Sequence, residues 1–98
     1  MNILLSDDEV IQEIKKYPNP NWIWAEIWEM SQYELQVVIT VNKEEDCYLG
    51  QHKVIHVCSA QVDNMDDIAQ LKVCGKSIVK LIRKSFPDSK VHSKLYCR

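Results

Sequence analysis

In the stretch "SDDEVIQEIKKYP" the apolar residues Val10, Ile11, Ile14 and Tyr17 form one stripe at the 3.6-residue period, with charged residues between them. The pattern predicts a helix. Ser6 stands at the N-cap and Glu9, three residues on, completes a capping box. Asp7 and Asp8 suit the positive end of the helix dipole, Lys15 and Lys16 the negative end. Pro18 is expected to stop the helix, and "YPNPN" reads as a turn-rich link.

The next segment, "NWIWAEIWEMSQ", carries two patterns at once. Trp24 and Trp28 lie at helical spacing, whereas Ile23, Ala25 and Ile27 alternate with bulkier neighbours as in a strand. The aromatic content and the strand that follows favour a strand. That following segment, "YELQVVITV", puts Leu35, Val37, Ile39 and Val41 on one face and Glu34, Gln36 and Thr40 on the other. "NKEEDCYLGQ" is a polar hairpin connection, and "HKVIHVCSAQV" alternates again as a third strand.

"DNMDDIAQLKVCGKSIVKLIRKSFPD" predicts a long helix. Asn64 or Asp63 caps it, Asp66 and Asp67 occupy its first turn, and Arg83 and Lys84 its last. Ile68, Leu71, Gly75, Ile78, Ile82 and Phe86 make its buried stripe. A glycine inside a helix costs about 1 kcal/mol, so Gly75 predicts a close approach to another backbone. A last strand, "KVHSKLYCR", follows. The order α-β-β-β-α-β predicts one α+β domain over residues 1–98, with two helices packed on one face of an antiparallel sheet.

Length and composition agree with one domain. The 98 residues are too few for two cores, and 46% apolar residues are enough for one. No apolar run approaches the roughly 18 residues of a membrane span, and "MNILLSDDEV" lacks the basic start and long apolar run of a secretory signal. A cytoplasmic location without membrane contact is the expectation. Cys47, Cys58, Cys74 and Cys97 contain no CxxC spacing, which favours free, mostly buried thiols over a disulfide framework. With only two glycines, a Gly-rich phosphate cradle is excluded, and no cofactor is expected.

Four constellations are candidates for chemistry. A regular strand over "HKVIHVC" would bring His52, His56 and Cys58 to one face, the beginning of a zinc site whose fourth ligand would come from Cys47, Cys97 or His92. Ordinary sheet histidines and a buried thiol explain the same residues, and no metal site is assigned. None of the cysteines has a nucleophile's surroundings, and the carboxylates of "SDDE", "KEED" and "MDD" are helix starts or loop, so catalysis is not expected. Lys72, Lys76, Lys80 and Lys84, with Arg83, lie on the wet side of the long helix. They are the candidate nucleic-acid contact, because the α-β-β-β-α order resembles double-stranded RNA-binding domains. Asp66 and Asp67 at the helix start would repel phosphate, which ranks nucleic acid behind a protein partner. Finally, a strand that turns Ile23, Ala25 and Ile27 inward puts Trp22, Trp24 and Trp28 on the other face, where large aromatics anchor a partner or a second copy of the chain. The acidic Glu44, Glu45 and Asp46 extend that candidate surface.

From "YELQVVITV" onward the chain resembles the Dmd family of T4-type phage antitoxins, which neutralise a host endoribonuclease toxin. The resemblance is carried by the strand-strand-helix-strand order, Asp66 and Asp67 opening the helix and Phe86 closing it. Asp88, Ser89 and Lys90 and the terminal Cys97 and Arg98 complete it. It covers residues 33–98 and does not extend to the first helix or the tryptophan segment. What it implies is a small phage-encoded inhibitor of host defence, a class that includes anti-CRISPR proteins. Such a protein would bind a host nuclease or defence complex stoichiometrically in the host cytoplasm.

Overall fold

In the computed structural model, which describes residues 1–17, 20–42 and 53–96, the chain runs through two helices and five strands. They are β1 (Asn2–Ile3), α1 (Asp7–Lys15), β2 (Trp22–Glu29), β3 (Glu34–Val41), β4 (Lys53–Gln61), α2 (Met65–Ser85) and β5 (Lys90–Lys94). Pro18, the polar connection that carries Glu44, Glu45, Asp46 and Cys47, His52, and the terminal Cys97 and Arg98 lie outside the described residues. The fold is the α+β domain expected, with one more strand: β1 is too short to leave an alternating pattern.

Local chemistry sets the helix ends. Ser6 accepts from the Glu9 backbone N–H, and the Glu9 carboxylate accepts from that of Ser6, closing the capping box. Asn64, not Asp63, caps α2, its side-chain oxygen accepting from the Asp67 N–H at 3.1 Å.

The strands order as β1-β4-β3-β2-β5. Neighbours are antiparallel except β5, which is parallel to β2, so the sheet is mixed and not wholly antiparallel. Helix α2 explains this. Its 21 residues rise about 31 Å, close to the length of the nine-residue β4, so it carries the chain back to the end where β4 began. The next strand then runs the same way as β4 and β2.

Both helices cover one face. Val10, Ile11 and Ile14 of α1 and Leu71, Ile78, Val79 and Ile82 of α2 form a single core with Ile23 and Ala25 of β2, Leu35 to Val41 at alternate positions of β3, and Ile55 and Val57 of β4. Gly75 lies where α2 crosses the sheet: a Cβ there would stand 3.0 Å from Leu95 Cδ2 and 3.4 Å from Val37 Cγ2. The close approach expected of this glycine is thus to two side chains and not to a backbone.

Strand β4 is irregular at one point that matters. Val37 stands opposite Cys58 while its neighbour Val38 stands opposite His56, so Val57 is an extra residue, a β-bulge. Its carbonyl accepts from both Leu4 N–H (2.9 Å) and Leu5 N–H (3.1 Å). Beyond the bulge the alternation changes parity: Cys58 and Ala60 join Ile55 and Val57 in the core.

Candidate partner-binding face

The bulge disposes of the arrangement in which His56 and Cys58 share a face. His56 is exposed on the side away from the helices, its Nδ1 2.7 Å from Gln36 Oε1. Cys58 is buried against α2, its S–H donating to Cys74 Sγ at 3.1 Å. The sequence pattern assumed an unbroken period of two, and one inserted residue reverses it. His52 lies outside the described residues. Among the described residues no three His, Cys, Asp or Glu side chains gather as metal ligands would.

The outer face of the sheet, opposite the helices, is where the tryptophans lie. The parallel register puts Trp22 beside Lys90, Trp24 beside His92 and Glu26 beside Lys94. The His92 imidazole stacks on both indoles, at 5.2 Å and 9° from Trp22 and at 4.5 Å and 18° from Trp24. Lys90 Nζ stands 4.6 Å over the Trp22 ring and Lys94 Nζ 5.0 Å over that of Trp24. Side chains from two strands therefore interleave in a ladder of cations and rings, held by stacking and by the attraction of ammonium groups to indole faces. Each step is available because parallel strands in register bring like-numbered rows side by side.

This ladder corrects one expectation. Trp24 is only 5% exposed, so it is a packing residue, while Trp22 and Trp28 are half-buried and keep ring surface available. The face has a dry centre: Val38 and Thr40, its middle row on β3, are fully buried. Thr40 Oγ1 and His92 Nε2, on the two strands flanking Trp24, have no hydrogen-bond partner among the described residues. Nothing local says which strand β5 will join, so the place of Lys90 and Lys94 beside the tryptophans was not legible in the sequence, and His92, a candidate zinc ligand by sequence, stacks on indoles instead. The polar alternation of "KVHSK" was the available signal.

Strand β5 is also a sheet edge, and its lysines have a second, plainer role there. Charged side chains on an edge strand discourage pairing with a foreign strand. Arg83, one of the candidate nucleic-acid residues, contributes to the same end by donating from Nη2 to the Val91 carbonyl at 3.4 Å. The remaining candidates, Lys76, Lys80 and Lys84, are exposed on α2, and Lys72 is half-buried. They occupy the helix layer, on the opposite side of the sheet from the tryptophan ladder. One flat partner surface cannot touch both.

Elsewhere, a groove of about 500 Å³ between Tyr17, Pro20, Phe86 and Ser89 is a junction of turns, with Ser89 Oγ donating to the Pro20 carbonyl. No helix among the described residues is long and apolar enough to cross a membrane. No family model, curated protein or solved structure matches this chain.

Proposed function

We propose that this is a small non-enzymatic binding protein that acts by covering a surface of a protein partner through the outer face of its sheet. The observation that carries the reading is the Trp22–His92–Trp24 stack flanked by Lys90 and Lys94. Such a stack is rigid before any partner arrives, and half-buried Trp22 and Trp28 offer aromatic area without further loss of side-chain freedom. The cationic heads at Lys90 and Lys94 favour a partner surface that carries carboxylates. The resemblance to phage antitoxins supplies the class of target, a host nuclease or defence complex held stoichiometrically. Two copies of the chain meeting face to face would use the same residues.

The second reading is RNA binding through Lys72, Lys76, Lys80, Arg83 and Lys84, favoured by the exposure of three of these lysines on one helix. Affinity capture from host lysate with three baits separates the two. The expected result is one protein retained by the wild type and by the Lys76→Glu/Lys80→Glu variant, and lost with Trp22→Ala/Trp28→Ala. Retention of nucleic acid instead, falling steeply as salt is raised and lost in the lysine variant, would replace protein binding by RNA binding.

A further inference from the structure

Two thiols meet in the core between β4 and α2. Cys58 is fully buried, turned inward by the bulge at Val57, and its sulfur lies 3.1 Å from that of Cys74. Cys74 is partly exposed and lines an apolar groove of about 520 Å³ with Ile3, Ala69, Gln70, Val73 and Ser77. One sulfur is therefore reachable from solvent and the other is held behind it. A disulfide has its sulfurs about 2 Å apart, so closure needs an approach of about 1 Å.

We propose that Cys58 and Cys74 form a reversible disulfide that clamps α2 to β4, closed by a peroxide that enters through the groove. Cys74 Sγ attacks one oxygen of hydrogen peroxide, the O–O bond breaks, and the departing hydroxide leaves as one water with the proton from Cys74, giving the sulfenic acid at Cys74. Cys58 Sγ then attacks Cys74 Sγ, the S–O bond breaks, and the departing hydroxide leaves as a second water with the proton from Cys58. Two thiols are oxidised and one peroxide is reduced to two waters. The order of events follows from access. Burial, and then its hydrogen bond to Cys74, hold the Cys58 proton well above the ordinary thiol range, which keeps Cys58 inert until its neighbour has been activated.

The pair bridges only fifteen intervening residues, but it ties a strand to the helix packed on it, so closure removes freedom from the unfolded chain while leaving the native contacts in place. The outer face of the sheet is untouched, so the clamp stands independently of the function proposed above.

The test is hydrogen peroxide treatment of the full chain, followed by peptide mapping without reduction and by thermal melting. The expected result is a Cys58–Cys74 linked peptide lighter by two hydrogens, a melting temperature raised by roughly 10 °C, and reversal of both by a dithiol. The Cys47→Ser/Cys97→Ser variant should behave in the same way, and Cys74→Ser should lose both responses while staying folded. Peroxide that leaves Cys58 and Cys74 as free thiols, or that links either to Cys47 or Cys97, would overturn the proposal. A Cys58–Cys74 link that lowers the melting temperature would also overturn it, since the bond would then strain the fold instead of clamping it.

Discussion

Trp24 and Trp22 are two residues apart on one strand, yet they do different work. Trp24 is packed between Thr40 and His92 in the register of the sheet and is almost wholly buried, whereas Trp22, at the start of β2, keeps part of its ring exposed beneath Lys90. Removing a buried indole leaves a cavity and also strips the His92 ring of a stacking partner. Trp24→Ala should therefore cost about 3 kcal/mol or more and lower the melting temperature markedly. Trp22→Ala should cost about 1 kcal/mol, with its larger effect on binding. Thermal melts of the two variants decide it, and equal losses would mean that the two indoles share one role.

Of the two helices, α2 buries the longer apolar stripe against the sheet. Its stripe of Leu71, Gly75, Ile78, Val79 and Ile82 is buried from the first turns to the last. Leu71→Asp or Ile78→Asp would put an unpaired carboxylate in a fully buried site, at a cost of several kcal/mol, which a small domain cannot spare. Both variants should lose the cooperative thermal transition followed by circular dichroism; a near-native melt in either would mean that the stripe is not the packing face. The opposite side of the same helix predicts the reverse. Lys76 and Lys80 are exposed, so Lys76→Glu/Lys80→Glu should leave the melting temperature within a few degrees of wild type. A folded variant of this pair that loses biological activity would move the functional surface to the helix layer.

The shape of these elements was largely legible in the chain itself. The capping box at Ser6 and Glu9 involves neighbours three residues apart, and the stripe of α2 repeats with the helix period, so both can be read without knowing the fold. The same holds for β3, whose alternation needs only its own pleat. Strand β1 was not legible, because two residues cannot display a period. The parity change in β4 was not legible either: a bulge costs one residue, and "HKVIHVCSAQV" alternates plausibly on either side of it.

At the scale of the whole molecule, the sequence by itself determined the α+β class, the two helices and the core faces of the helices and of β3, because these depend on local periods and on capping chemistry that neighbours in the chain supply. Only the tertiary structure decided which strands became neighbours. The length of α2 returned the chain to run parallel with β2, and that pairing brought Lys90, His92 and Lys94 onto the tryptophans some 68 residues away in the chain. The bulge likewise set Cys58 against Cys74 and left His56 on the other face. Contacts of this kind follow from sheet order and register, which are chosen by the packing of the assembled domain and leave no mark in the period of any one segment.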